Sequence, residues 1–201
     1  MVETLSFLGI HKEIVTNQGI SSRCIMTRFM LDQGSKSDST LSPVRIADKK
    51  IGAGHPTFIV AELSGNHNGS LATAKKLINQ AKAAGCDAVK IQTFTADTIT
   101  LDCDRPEFMV KGGIWDGRSL YELYEEASMP WEWHEEIFSY ANKVGITLFS
   151  APFDKTAVDL LEELQCPAYK IASPELVDIP LIERVGRTGK PVILSTGASS
   201  L

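Results

Sequence analysis

The sequence predicts an α/β fold of the (β/α)8 barrel type, incomplete, with about the first five strands present. Short apolar runs alternate with segments of helical period between residues 58 and 194, and this alternation implies right-handed crossovers and a parallel sheet. Every run ends in polar residues, as in barrels whose active face lies at the carboxyl ends of the strands. A doubly wound nucleotide fold is disfavoured because neither GxGxxG nor GxxxxGKS/T is present.

Five runs rich in β-branched and aromatic residues are predicted to be buried strands. They cover residues 58–61, 88–91, 147–150, 168–171 and 191–194. A barrel needs eight strands and about 250 residues, whereas this chain stops soon after its fifth run. The first and last runs are therefore expected to be edge strands without partners.

Four segments between the strands carry the apolar period of a helix that faces a core. They cover residues 71–84, 130–144, 156–164 and 179–185. Ser70 stands at the N-cap position of the first segment, and Gly85 and Gly145 follow the first two at the position of a left-handed C-cap.

The chain divides into an extension and one domain. Residues 1–42 lack a sustained period and include a polar, turn-rich stretch at 33–40, so they are predicted to be a disordered extension. Residues 43–201 are predicted to form the N-terminal part of the barrel domain. Within it, the connection 97–129 is longer than a barrel requires and is predicted to form a lid or a wall of the pocket.

Composition excludes several classes of protein. The 201 residues are 43% hydrophobic and 22% charged, which is ordinary for a globular domain. A net charge of −5 disfavours a nucleic-acid partner. The absence of a long apolar run and of a secretory signal predicts a cytoplasmic protein without a membrane partner. The four cysteines are widely spaced, which predicts reduced thiols instead of a zinc site or a disulfide framework.

Two lysines are candidates for ligand binding because each stands within or at the end of an apolar strand. Lys90 follows Ala88 and Val89, and Lys170 ends a similar run. A buried cation is costly unless an anion compensates it, so the pair indicates an anionic ligand. Two alternatives stay open: a structural ion pair with Glu62 or Glu175, or a Schiff-base aldolase in which one lysine is a neutral nucleophile.

The loop after the first strand carries a carboxylate. Glu62 closes the strand, and a polar, glycine-containing loop leads from it to the next helix, so Glu62 is a candidate for contact with a substrate. His67 stands alone between two asparagines and is predicted to be a hydrogen-bonding loop residue, since no second histidine lies near it in sequence.

Hydroxyl groups follow the last two strands. Ser173 lies in the segment KIASPE, and Ser195 precedes Thr196 and Gly197. Hydroxyls and backbone amides at strand ends are suitable donors to phosphate oxygens, and glycine permits close approach of the backbone. These turns therefore strengthen the prediction of an anion site at the carboxyl ends of the strands.

Taken together, six segments resemble the sialic acid synthase family in their order and their intervals. They are VAE at 60–62, NHNG at 66–69, VKIQT at 89–93, SAPFD at 150–154, KIAS at 170–173 and LSTG at 194–197. The resemblance runs from about residue 43 to the last residue. Segments 115–118, 120–127 and 130–134 are more similar to the pseudaminic acid synthase branch than to the N-acetylneuraminate branch.

The resemblance implies condensation of phosphoenolpyruvate with an N-acetylated amino-sugar aldehyde, which yields a nonulosonic acid and phosphate. It also implies roles for particular residues. Phosphoenolpyruvate would be bound by Lys90, Lys170, Ser173 and Ser195. Glu62 would lie beside the reacting carbons, and Gln92 and Glu175 would face the sugar. Ala151 departs from relatives, which often carry Ser or Thr there.

The resemblance also implies a divalent metal, manganese or magnesium, and a homodimer. In relatives the histidines that bind the metal lie beyond the position equivalent to Leu201, so no metal ligand is predicted in this chain. A different hypothesis is that the chain is a non-catalytic remnant or an oligomer-forming fragment. On either hypothesis the 201 residues by themselves are expected to be inactive, since no metal ligand is predicted among them.

Overall fold

A computed structural model of the chain describes residues 42–197. The predicted disordered extension, residues 1–42, lies outside this range except for residue 42. A parallel sheet of five strands forms the centre of the described region. It follows a short antiparallel hairpin of β1 and β2. The strands are β1 (Val44–Ile46), β2 (Lys49–Ile51), β3 (Val60–Glu62), β4 (Ala88–Thr93), β5 (Thr147–Pro152), β6 (Tyr169–Ile171) and β7 (Val192–Leu194).

The order of strands in the sheet is the order of the sequence, β3-β4-β5-β6-β7. A doubly wound sheet reverses its order at a switch point, and no reversal occurs among the described strands. The sheet is therefore half of a barrel, and the predicted fold class and strands are confirmed. The structure adds the hairpin, which the sequence analysis missed.

Helices connect the parallel strands. They are α1 (Leu71–Ala83), α2 (Ala96–Ile99), α3 (Leu120–Ala127), α4 (Trp131–Val144), α5 (Lys155–Glu163) and α6 (Ile179–Gly186). The four predicted helices are confirmed as α1, α4, α5 and α6. The Ser70 hydroxyl accepts from the backbone N–H of Thr73, Gly145 ends α4 with φ 75°, and Gly85 after α1 has φ 82°, so all three predicted caps are present. The connection 97–129 contains α2, α3 and two short 3-10 turns.

Alternation along the strands gives the sheet two faces. The register sets Glu62 beside Lys90, and Gln92 beside Ala151. We call the face that carries Glu62, Lys90, Gln92 and Lys170 the inner face. The outer face packs against the helices. The hydroxyl of Tyr169, for example, donates to Glu162 of α5. Because side chains alternate between faces, Lys170 points away from those helices.

The hydrophobic core lies between the outer face and the helices. Its fully buried side chains include Ile78, Val89, Ile91, Ile137, Leu161, Ile171 and Leu181. Three cysteines of the described region, Cys86, Cys103 and Cys166, are free thiols. No helix in residues 42–197 is long and apolar enough to cross a membrane.

The hairpin of β1 and β2 lies at the amino-terminal end of the sheet. Ile46 is only 1% exposed and joins the core, and Lys49 pairs with Asp87, the residue before β4, at 3.5 Å. A cavity of about 290 Å³ between the hairpin and residues 55–58 is lined mainly by charged side chains. The hairpin thus packs at the end opposite to the predicted site.

Candidate active site at the carboxyl ends of the strands

The predicted site residues are brought together where the parallel strands end. Glu62 is the last residue of β3, Lys90 and Gln92 lie in β4, Lys170 lies in β6, and Ser195 directly follows β7. They share the inner face because they occupy alternate positions of neighbouring parallel strands. The remaining two predicted residues, in the turn after β6, are described below.

Glu62 and Lys90 form an ion pair across β3 and β4. The Lys90 Nζ lies against Glu62 Oε2, and the two side chains are 15% and 19% exposed, respectively. The other carboxylate oxygen, Oε1, accepts from the backbone N–H of Ser64 at 3.1 Å. For Lys90, the structure therefore contains the ion pair with Glu62 that the sequence analysis gave as an alternative to ligand binding. Glu62 has a partner for each of its oxygens.

Gln92 is tied to the loop that follows β3. Its Oε1 accepts from the Ser64 hydroxyl at 3.3 Å. Ser64 begins the 3-10 turn Ser64–His67 and has φ 48°, a left-handed conformation uncommon outside glycine. Sequence analysis did not single out Ser64. Its place two residues after a strand-end carboxylate is the signal that could have identified it.

Lys170 has neutral oxygen partners. Its Nζ donates to the Ser195 hydroxyl at 2.6 Å and to the backbone carbonyl of Ile171 at 2.6 Å. Burial, followed by the positive charge of Lys90, lowers the pKa of Lys170 to about 8, while Glu62 and Glu175 act in the opposite direction. None of the ion pairs found within residues 42–197 includes Lys170.

The turns after β6 and β7 lie against each other. Ser173 begins the 3-10 turn Pro174–Val177, and a Cβ added at Gly197 would stand 3.4 Å from the Ser173 hydroxyl oxygen. Glu175 of this turn is half-buried, its Oε2 has no hydrogen-bond partner within the described region, and burial raises the pKa of its carboxyl. These turns thus set hydroxyl groups and a carboxyl beside Lys170.

The long connection supplies an aromatic side chain next to Glu175. Tyr124 of α3 packs edge-to-face on Phe94, with ring centroids 6.0 Å apart, and Phe94 packs in the same way on Phe153 at 5.2 Å. Burial and the nearby charge of Glu175 raise the pKa of Tyr124. This packing holds α3 of segment 97–129 against residues that follow β4 and β5, and a role of the segment as a lid or a wall stays a prediction.

A buried polar chain lies directly behind the inner face, and sequence analysis missed it. The Thr93 hydroxyl lies 3.0 Å from His134 Nε2 and accepts from the Ser150 hydroxyl at 2.7 Å, and the Ser150 oxygen also lies 3.2 Å from Ile91 O. His134 Nδ1 lies 3.2 Å from the carbonyl of Pro130, which can only accept, so Nδ1 carries the proton and Thr93 donates to Nε2. Ser150, which sequence analysis counted among the polar strand ends, faces the helices.

His67 is a buried loop residue that contributes hydrogen bonding, as the sequence predicted. Its Nδ1 accepts from the backbone N–H of Gly69 at 3.1 Å. Its ring packs edge-to-face on Trp133, with centroids 5.6 Å apart. Burial lowers the pKa of His67, which favours the neutral ring that this hydrogen bond requires.

The described residues do not fit a divalent metal. No three side chains among the histidines, cysteines, aspartates and glutamates of residues 42–197 converge on one point, and a metal ion needs several such donors.

A second cavity, of about 400 Å³, opens between the first turns of α5 and α6. Neither of these two cavities is lined by the strand-end residues.

Comparisons with known proteins identify relatives of the chain. The chain is 50% identical to the pseudaminic acid synthase of Helicobacter pylori over 145 residues, which are 72% of this chain and 43% of that protein. It is also 50% identical to that of Campylobacter jejuni over 153 residues, 76% of this chain and 43% of that protein. The chain therefore spans less than half the length of these relatives.

A solved structure shares the fold. The N-acetylneuraminic acid synthetase of Leptospira borgpetersenii superposes with a TM-score of 0.67 at 28% identity, covering 79% of this chain and 51% of that one. Residues 77–201 match the model of the NeuB family. This match covers more than half of the chain, which therefore belongs to the NeuB family.

Proposed function

We propose that this chain supplies the phosphoenolpyruvate-binding part of a synthase active site. The enzyme would condense phosphoenolpyruvate with an N-acetylated amino-sugar aldehyde and yield a nonulosonic acid of the pseudaminic type and phosphate. Identity to two pseudaminic acid synthases supports the type of product. The single observation that carries the proposal is the pair Lys90 and Lys170 on one face at the strand ends.

Phosphoenolpyruvate carries a carboxylate and a phosphate, so it matches two cations flanked by hydroxyl donors. Among residues 42–197, the hydrogen-bond partners of Lys170 are two neutral oxygens, and an incoming anion would give it a charge-assisted hydrogen bond, the stronger kind. Ser195, already bonded to Lys170, and Ser173 would donate to the same anionic group. Lys90 would exchange its contact with Glu62 for the ligand.

The resemblance implies a reaction in which C3 of phosphoenolpyruvate adds to the aldehyde, water adds at C2, and phosphate leaves by C–O cleavage. In this proposal the lysines stabilise the anionic groups. Glu62, once released from Lys90, stabilises the cationic centre at C2 or accepts a proton from the water. Gln92 and Glu175 bind the sugar, since the raised pKa of Glu175 favours a protonated carboxyl that donates to a hydroxyl or carbonyl oxygen.

Further parts of the proposal rest on the sequence. The family resemblance implies a homodimer and a manganese or magnesium ion, and charge and composition favour a cytoplasmic location without a nucleic-acid or membrane partner. Because the described residues do not fit such an ion, the roles above are assigned to side chains of this chain only. For the same reason we propose that residues 1–201 bind phosphoenolpyruvate without turning it over.

Calorimetry tests the binding proposal. Phosphoenolpyruvate titrated into the chain is expected to bind with one site per chain, and inorganic phosphate is expected to compete. The exposed lysine variant Lys143→Ala is the matched control and should bind equally well. Absence of any heat of binding by a folded chain would contradict the proposal.

A second assay addresses the reaction. Phosphate release is measured from phosphoenolpyruvate with manganese and either 2,4-diacetamido-trideoxy-altrose or N-acetylmannosamine. The chain of 201 residues is expected to release none. Turnover would contradict the proposed inactivity of these residues alone, and the preferred sugar would identify the product.

A further inference from the structure

We infer that Lys170 is a carbonyl-reactive amine, which forms an imine with a small 2-oxo acid held at the carboxyl ends of the strands. This reactivity goes beyond the proposed condensation and does not depend on it. It makes Lys170 a site of covalent modification.

The first argument is the set of partners around the lysines of the described region. Six of them are exposed and form no ion pair there: Lys50, Lys76, Lys82, Lys111, Lys143 and Lys155. Four others lie in ion pairs with carboxylates, which hold an amine in its protonated form. They are Lys49 with Asp87, Lys75 with Glu136, Lys90 with Glu62, and Lys190 with Glu162. Lys170 instead donates to a hydroxyl and a backbone carbonyl. Neutral oxygens accept from a neutral amine as well as from an ammonium group, so these partners do not fix the charge.

The second argument is the neighbouring cation. Lys90 lies near enough for its charge to disfavour the ammonium form of Lys170, and burial acts in the same direction; Glu62 and Glu175 oppose both. A lysine desolvated beside another cation is a recognised way to activate an amine. At pH 7.5 an amine whose pKa is about 8 is neutral about a quarter of the time, against about one part in a thousand for an ordinary lysine.

The third argument is the fit of the ligand. A 2-oxo acid has a carboxylate one bond from its ketone. Lys90 can take the carboxylate in place of Glu62, to which it is paired across neighbouring strands. Lys170 lies on the same face of the sheet, with one strand between β4 and β6, and is near enough to feel the charge of Lys90. A ketone carbon next to the bound carboxylate would then lie between the two amines.

The chemical step balances without an oxidant or a reductant. The lone pair of the neutral Lys170 Nζ attacks the ketone carbon, and a proton moves from nitrogen to the former carbonyl oxygen to give a carbinolamine. The hydroxyl then takes a second proton and leaves as water, so a C=N bond replaces the C=O bond. Glu175, whose burial favours the protonated carboxyl, is the acid on the described face that can supply this second proton.

The experiment uses the full chain with pyruvate and sodium borohydride, which reduces an imine to a stable secondary amine. Peptide mass spectrometry then locates the added group. We expect Lys170 to be labelled at least about tenfold faster than any exposed lysine at pH 7.5, given the difference in neutral fraction. Inorganic phosphate should slow this labelling and leave the surface lysines unaffected.

Two variants make the result decisive. Lys170→Arg keeps the charge and should lose the rapid label, whereas Lys143→Arg removes an exposed lysine and should keep it. Circular dichroism and a thermal melt establish that both variants fold. If Lys170→Arg unfolds, the test is made on the unsubstituted chain. Phosphate should then slow the labelling of Lys170 and leave that of the surface lysines unchanged.

Uniform labelling of lysines, or labelling at Lys90 instead, would overturn the inference. The outcome is separate from that of the proposed function. Binding of phosphoenolpyruvate without a label at Lys170 would leave the synthase proposal standing, and a label without such binding would leave only the reactive amine.

Discussion

The polar side chains on the two faces of β4 have different surroundings, although they belong to consecutive residues. Gln92 points to the inner face and bonds to a loop hydroxyl at 3.3 Å. Thr93, one residue later, is fully buried on the outer face in the chain that joins it to His134 and Ser150. Gln92 has a partner that a ligand can replace. Among the described residues, Thr93, His134 and Ser150 are hydrogen-bonded to one another and to the backbone. One strand thus presents a site and anchors it.

The largest effect is expected from the core behind the outer face. Leu161→Ala in α5 removes a fully buried side chain and should lower the free energy of unfolding by about 2 to 5 kcal/mol. Phosphate binding by the molecules that stay folded should not change. Chemical denaturation and calorimetry measure the two quantities. Leu101→Ala, at a residue 66% exposed, is the control and should change stability by less than about 0.5 kcal/mol.

The inner face is expected to show the reverse pattern. Lys170→Ala should weaken phosphoenolpyruvate binding at least about tenfold, since a charge-assisted hydrogen bond contributes about 1.5 to 3 kcal/mol. Its stability should change by less than about 1 kcal/mol, because burial disfavours the charged amine that the substitution removes. Calorimetry and denaturation on one preparation test both halves. A large loss of stability with unchanged binding would make Lys170 a structural residue.

A matched pair of neighbours sharpens the contrast. Thr93→Val keeps the shape of the side chain but leaves His134 Nε2 without its donor, which should cost about 1 to 3 kcal/mol. Gln92→Leu removes a group from the inner face and should alter stability less. Equal losses in denaturation curves of the two variants would contradict the division between faces.

Acid should lower the free energy of unfolding gradually, because two histidines of the folded chain are buried. Burial lowers the pKa of His134 and of His67, so the unfolded chain binds more protons than the folded chain below about pH 6.5. Stability is therefore fully present above that pH and falls as pH decreases, by at most about 1.4 kcal/mol per pH unit for each histidine. His134→Gln should reduce this slope between pH 7.5 and 5.5 in denaturation experiments. A slope that persists unchanged would assign it to other groups.

Local patterns were sufficient for the strands and their polar ends. Glu62, Lys90 and Lys170 were predicted to lie in or at the ends of apolar strands, and capping residues such as Ser70 and Gly145 marked the ends of helices. These features depend on neighbours within a few positions. For that reason a single sequence contains them.

Contacts between distant residues were not predictable in the same way. Thr93 bonds to partners 41 and 57 positions away, and a serine at a strand end gives no sign of which face its register selects. The hairpin was missed for a local reason. Ala47 takes φ 50° in its turn, where Asn or Gly would have signalled a tight hairpin.

That hairpin gives the molecule a distinct end for attachment. Ile46 anchors it in the core, while Arg45 and Lys50 remain exposed at the amino-terminal end of the sheet. The strand-end lysines lie at the other end. A dye or a surface tether attached through a cysteine introduced at position 50 would therefore leave Lys170 facing the solution, which suits the chain to immobilised binding assays.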